Sequence, residues 1–298
     1  MLQLDANQTA QLLPYPVLVA ALEQAVLDYA SGTIVCPERL VVAMPGGLLL
    51  SMPATAPDVT IHKLLTICGG NPALGLPTIQ GEVTAYDPHN GQKLLALDAP
   101  TATARRTAAI SMLGIGALHG QPREMVLIGT GAQAAGHVEA VAAVFPEAQL
   151  WVKGSALPRA QAFCQRVGGQ ARATDQLPES ADVIITTTSS KTPVYDLPAR
   201  AGRLIVTVGA FTPDAAEIAP ATVQGSRLYV DDPAGAPHEA GDFIQAGIDW
   251  NTVHSLAQAL RTAPPQDQPI LFKSVGCAAW DLAACRVALA QNRTLMTS

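Results

Sequence analysis

Apolar and polar positions recur along this chain with two different periods, and the change between them divides it. Val19, Leu22, Ala25, Val26 and Tyr29 fall at helical spacing and predict a helix over 16–29. Short apolar runs at 39–44, 48–52, 61–68 and 81–86 predict strands. The stretch Asp87 to Gly91 (DPHNG) reads as a turn, its Asn-Gly pair as a hairpin signal, and 92–98 as the returning strand. Together they predict an antiparallel sheet with flanking helices. An Ala-rich helix follows over 103–118, with Thr101 or Thr103 as its N-cap.

Beyond Pro122 the pattern becomes strand, helix, strand. Strands are expected at 125–128, 149–152, 183–187, 204–208 and 227–230, with helices over 129–144 (after a glycine turn) and 155–166. That alternation implies βαβ units and a parallel, doubly wound sheet. A last helix over 278–290 is placed to close back on the first third. The expected class is α/β: a doubly wound domain at 121–272 inserted in an α+β domain made of 1–120 and 273–298.

Composition narrows this picture. Nearly half the residues are hydrophobic (49%) but only 4% are aromatic, so Ala, Val, Leu and Ile must fill the core, which suits α/β layering. Acids outnumber bases 24 to 18, giving a formal charge of -6, which argues against a nucleic-acid partner. The N-terminus has neither a basic stretch nor a long apolar core, and no run approaches the ~18 apolar residues a bilayer requires. A cytoplasmic protein with no membrane partner is expected. Cys36, Cys68, Cys164, Cys277 and Cys285 form no C-x-x-C pair and read as buried thiols rather than disulfides or a zinc site. The histidines are scattered without ligand spacing, so no metal is expected. Asp231, Asp232, Glu239 and Asp242 make an acidic cluster that reads as a solvated loop or an interdomain polar contact in preference to a metal site.

Chemistry first surfaces in Gly129-Thr130-Gly131-Ala132-Gln133-Ala134, a G-x-G-x-x-A segment between an apolar strand and a helix. In that context the first Gly makes the tight turn, the second lets backbone approach a pyrophosphate, and Ala134 allows close helix–strand packing. The free N–H groups of the helix N-terminus favour the phosphates. The next strand ends at Lys153 and Ser155, with Arg159 further on and no acid to accept a ribose 2′-hydroxyl. This favours NADPH through its 2′-phosphate, with NADH as the alternative. His137, in the helix after the turn, reads as packing.

The segments IHKLLTI, GGN, LPTIQGEV, YDPHNGQKLLALDA, TATARRTAA, GTGAQAAGH, VGAFTPDAAEI, HEAGDF and FKSVGCAAWDLAA, in that order, resemble the ornithine cyclodeaminase/μ-crystallin family over nearly the whole chain. The resemblance implies a substrate-binding and dimerisation domain completed by the C-terminal helix, and a Rossmann-type domain holding a nicotinamide cofactor. It implies a homodimer. The family includes ornithine cyclodeaminases, cyclic imine reductases and some amino-acid dehydrogenases. In its cyclodeaminases an Asp follows the glycines of the fifth strand; here that position is Phe211, and Asp214, past Pro213, is expected to point elsewhere. The departure favours NAD(P)H-dependent reduction of Δ1-pyrroline-2-carboxylate and Δ1-piperideine-2-carboxylate to L-proline and L-pipecolate. Ornithine cyclodeaminase and open-chain amino-acid dehydrogenase are the alternatives.

The resemblance also assigns residues. Arg39, Lys63 and Arg106 match the family's carboxylate-binding positions, where guanidinium groups bind bidentately. Arg105 and Arg106 project about 100° apart on a helix, so only one can face the site, and the family register selects Arg106. Lys63 is also the expected proton donor to the imine nitrogen, with a bound water as the competing donor, and Thr78 is expected to hydrogen-bond the substrate. On the cofactor side, Thr187 and Thr188, Val208 and Gly209, and Ser274 and Gly276 lie at strand ends or the domain junction, where the nicotinamide should pass.

Overall fold

Residues 40–98 form most of a six-stranded sheet in the computed structural model, which describes residues 2–265 and 267–297, the last three of these by their backbone alone. The strands are β1 (Leu2–Gln3), β2 (Leu40–Met44), β3 (Gly47–Thr55), β4 (Thr60–Ile67), β5 (Ile79–Tyr86) and β6 (Lys93–Asp98). Their order is β1-β6-β5-β4-β3-β2, antiparallel throughout except where β1 joins β6 in parallel. Helices α1 (Ala6–Gln11) and α2 (Tyr15–Ala30) precede the long strands, and the C-terminal helix, Ala278–Thr297, packs on α2, β3, β4 and β5. The period-2 rule decides which side chains meet that helix: Ile61, Lys63 and Leu65 of β4 are buried, while Leu64 faces outward.

Helix α3 (Ala99–Leu118) begins earlier than expected. Its cap is Asp98 rather than Thr101 or Thr103: the Asp98 carboxylate accepts both the backbone N–H and the hydroxyl of Thr101, at 2.9 and 2.6 Å. The last strand residue thus opens the helix directly, with no intervening loop.

The chain forms two units, Met1–Arg106 with Cys277–Ser298, and Thr107–Gly276. The sequence reading places the divisions at 120/121 and 272/273; contacts place them within α3 and just after Gly276. The second half of α3 is held to the second unit by close packing. A Cβ on Gly114 would lie 2.4 Å from Cε1 of Phe272.

The second unit is an eight-stranded, all-parallel sheet: β7 (Glu124–Ile128), β8 (Gln149–Lys153), β9 (Arg172–Thr174), β10 (Val183–Thr186), β11 (Leu204–Thr207), β12 (Arg227–Val230), β13 (His254–Ser255) and β14 (Ile270–Lys273). The order is β13-β12-β14-β11-β10-β7-β8-β9. Every residue of β10, β11 and β14 is buried, as expected for parallel strands covered on both faces. Helix α4 (Ala132–Val144) follows β7 and α5 (Leu157–Val167) follows β8. The chain winds outward from β7 to β8 and β9, then returns to the other side of β7 as β10. That reversal makes the carboxyl ends of β7 and β10 a topological switch point, where doubly wound sheets bind ligands.

All five cysteines are free thiols, but only Cys277 and Cys285 are buried; the other three are partly exposed. Among the described residues no helix is long and apolar enough to cross a membrane.

Candidate functional site

In the first unit the inward register of β4 leaves Lys63 only 1% exposed. Asp281, fully buried on the C-terminal helix, faces it, and the Lys63 Nζ donates to Oδ1 and Oδ2 at 3.1 and 3.2 Å. Arg106, also buried, brings its Nε to 3.4 Å from Asp281 Oδ1. Half-buried Arg39, just before β2, stands near enough for its charge to act on Lys63. Burial lowers the Lys63 pKa most, and the charges of Arg106 and Arg39 lower it further. The charge and hydrogen bonds of Asp281 oppose them, leaving it at about 8. Lys63 and Arg106 therefore share one carboxylate, with the charge of Arg39 nearby, and the surplus positive charge suits a small anion.

The structure thus brings together Lys63, Arg106 and Arg39. Thr78 is exposed at the bend entering β5. Arg105 turns elsewhere, donating to the Leu13 carbonyl at 2.9 Å and lying 4.1 Å over the Tyr15 ring. Asp281 escaped the sequence reading. Its one signal is that it is the sole acid in the otherwise apolar run 278–285.

In the second unit the glycine turn has the geometry of a phosphate cradle. Gly129 sits at φ +134°, and a Cβ there would lie 2.6 Å from Thr187 Oγ1. The approach is set by the Thr187 N–H donating to the Ile128 carbonyl at 2.9 Å, which ties the ends of β7 and β10. Gly131, the N-cap of α4, behaves oppositely: a Cβ would meet nothing within 4 Å. No side chain caps α4, so its first N–H groups remain available to an anion. Ala132 and Gln133 open the helix, and Ala134 is buried as close packing requires. The cradle fits a dinucleotide pyrophosphate.

The end of β8 lies beside this turn. The Lys153 carbonyl accepts the Gly129 N–H at 2.9 Å, and a Cβ on Gly154 would approach Thr130 Cγ2 at 3.3 Å. Arg159 donates to Ser155 Oγ at 3.4 Å. Arg166, which no sequence pattern singled out, donates to the Thr130 carbonyl at 3.5 Å.

The acidic cluster proves to be neither a solvated loop nor a surface feature, because Asp231, Asp232 and Asp242 are all buried. Asp231 accepts the Ser274 hydroxyl and the N–H groups of Val275 and Gly276, at 2.9, 2.8 and 3.0 Å. Glu217, absent from the sequence reading, accepts the N–H groups of Thr188 and Gly209 at 2.5 and 2.6 Å. Val208 continues the ladder by donating to the Thr186 carbonyl at 3.0 Å. Buried His137 donates from Nδ1 to the Gln133 carbonyl at 2.7 Å, with Nε2 3.0 Å from Ser111 Oγ. Burial holds its pKa down at about 4, against the opposing hydrogen bond, so it stays neutral and binds α4 to α3. Phe211 is exposed, and Asp214 points to Lys191, 2.7 Å away at the surface. Among the described residues no three potential metal ligands cluster.

A family model described as the ornithine cyclodeaminase/mu-crystallin family matches residues 3–293. A Δ1-pyrroline-2-carboxylate/Δ1-piperideine-2-carboxylate reductase of Azospirillum brasilense is 58% identical over 291 residues, covering 95% of this chain and 94% of that one. The Thermococcus litoralis Δ1-pyrroline-2-carboxylate reductase, solved with NADH and L-proline, superposes with a TM-score of 0.87 at 25% identity, over 99% of this chain and 98% of the other. An archaeal alanine dehydrogenase dimer with bound NAD gives a TM-score of 0.89 at 25% identity, over 99% and 96%.

Proposed function

Since this chain belongs to the ornithine cyclodeaminase/mu-crystallin family and has a dinucleotide-binding fold, we propose that it is an NAD(P)H-dependent reductase of Δ1-pyrroline-2-carboxylate and Δ1-piperideine-2-carboxylate. The products are L-proline and L-pipecolate. The observation that carries this reading is the buried cluster of Lys63, Arg106 and Asp281. It holds a proton donor and an anion receptor together, and a relative 58% identical to this chain is a reductase of these two imines.

In this reading the substrate carboxylate binds Arg39 and Arg106, which fixes the ring as well as neutralising the anion. Thr78 supplies a further hydrogen bond. Lys63, oriented by Asp281, gives a proton from Nζ to the imine nitrogen, which makes the adjacent carbon more electrophilic. A reduced dinucleotide held at the glycine turn would supply the hydride that converts C=N to CH–NH at this carbon. Lys63, left neutral against Asp281, recovers its proton from solvent. Phe211 stands where the resemblance puts the aspartate of the cyclodeaminases, so the chain lacks that group for releasing ammonia.

On the cofactor side, Gly129, Thr130, Gly131, Ala132, Gln133 and Ala134 hold the pyrophosphate. Thr187, Thr188, Val208, Gly209, Ser274 and Gly276 line the nicotinamide end. Lys153, Ser155 and Arg159 receive the 2′-phosphate of NADPH. The expected result is rapid loss of reduced-nicotinamide absorbance with either cyclic imine, faster with NADPH than NADH, and no ammonia from ornithine. Ammonia release without imine reduction would overturn the assignment.

The chain also works as a homodimer in this reading, through the outer face of the first sheet. Leu40, Val42 and Leu64 share that face by register and are all exposed. Val42→Glu is expected to convert a dimer into a monomer by light scattering. A monomeric wild-type protein would remove this part of the proposal.

A further inference from the structure

We propose that Glu217 is a positioning residue for the nicotinamide half of the dinucleotide, its carboxylate setting the two backbone segments, at Thr188 and Gly209, that this half meets. The inference rests on the dinucleotide reading above. Its basis is where the parallel ladder ends. Val208 makes a ladder bond to Thr186, but the next donors, the N–H groups of Thr188 and Gly209, lie past the ends of β10 and β11. Both are taken by one side chain: Glu217 Oε1 accepts from Thr188 at 2.5 Å and Oε2 from Gly209 at 2.6 Å. The hydroxyls of Thr186 and Thr207 also approach Oε2, at 2.9 and 3.0 Å. A Cβ on Gly209 would overlap the Thr188 carbonyl, so the two segments are already in contact and their spacing has little slack.

Glu217 is itself pinned. Asp242 Oδ1 accepts the backbone N–H groups of Glu217 and Ile218 at 2.6 and 2.9 Å, and Asp242 Oδ2 lies 3.5 Å from the Lys273 Nζ. None of these three side chains is exposed to solvent. Burying the carboxylates of Glu217 and Asp242 with a single ammonium, placed beside Asp242, is a costly way to hold a sheet together, since apolar packing serves as well. What apolar packing cannot do is accept two backbone N–H groups past the strand ends. Those strand ends are where a doubly wound sheet meets its ligand.

Two ligands separate positioning from general support: the reduced dinucleotide that the wild type prefers, and the same molecule without its nicotinamide riboside (ADP or its 2′-phosphate). Glu217→Gln keeps the shape but sets an N–H₂ against one of the two backbone donors. It is expected to weaken the reduced dinucleotide about tenfold by titration calorimetry, while the fragment, held by the glycine turn, stays within about twofold. Thr186→Val removes one donor to Oε2 and is expected to give the same selectivity with a smaller loss. It decides the matter if Glu217→Gln shows no cooperative thermal unfolding. Equal weakening of both ligands, or of neither, in the folded variants overturns the role of Glu217. A wild type that binds neither ligand overturns the dinucleotide reading and this inference with it. A wild type that binds both but reduces no imine leaves the role of Glu217 to be decided by the same titrations, separately from the reaction assigned above.

Discussion

Lys63→Met is expected to lower kcat/KM for the cyclic imine by about a thousandfold, because it removes both a proton donor and a cation from the substrate's anion site. The pH profile of the wild type should carry the signature of the same group. Lys63 titrates at about 8. Below that pH it is protonated and can donate; above it the donor is lost, so kcat/KM should fall with the slope of a single proton. The sign follows from the acid role: a base in the same place would give the opposite limb. Asp281→Asn tests the cause. Asp281 holds the Lys63 pKa up through its charge and its hydrogen bonds, against burial and two guanidinium groups. Its neutralisation should move the alkaline limb to lower pH, so the variant loses most activity near and above neutrality and recovers part of it in acid. In Lys63→Met the limb should vanish. A limb at the wild-type pH in Lys63→Met, with kcat unchanged, would mean that water donates the proton and that Lys63 serves binding alone.

The second large effect concerns the glycine turn. Gly131→Val should abolish measurable binding of the reduced dinucleotide, a loss of at least about a hundredfold, while leaving the melting temperature nearly unchanged. The two glycines of the turn differ in what they protect. Gly129 adopts a left-handed φ of +134° with Thr187 crowded against it, so a side chain there would disturb the fold itself. Gly131 has an ordinary extended φ of -88° and open space where a Cβ would stand. In the proposed reading the pyrophosphate occupies that space. Added bulk should therefore exclude a pyrophosphate without straining the protein. Fluorescence titration with NADPH and NADH, beside a thermal melt, checks both halves. Undiminished binding would show that the phosphates do not approach Gly131.

The sequence carried much of this fold because both units follow short-range rules. The apolar run at 61–68 already put Lys63 in a strand, and the G-x-G-x-x-A segment named its own place between strand and helix. The cap of α3 was misplaced by a local cause: Thr101 looks like an N-cap, but Asp98 reaches its N–H first. The solvated-loop reading of the acidic residues fails for a tertiary one. Asp231 and Asp242 resemble surface charges in any window of sequence, and only the backbone donors gathered around them make burial tolerable.

By itself, then, the sequence determined the two sheet types and the glycine turn between strand and helix, since each depends on side-chain periodicity or on a few adjacent residues, whereas Arg39, Lys63 and Arg106 were singled out by the family resemblance. The tertiary structure alone decided which buried carboxylates meet these groups. Asp281 meets Lys63 across 218 positions of sequence, and Glu217 reaches the Thr188 backbone across 29. A buried charge is stable only where partners converge on it, and that convergence is a property of packed faces that no local pattern encodes.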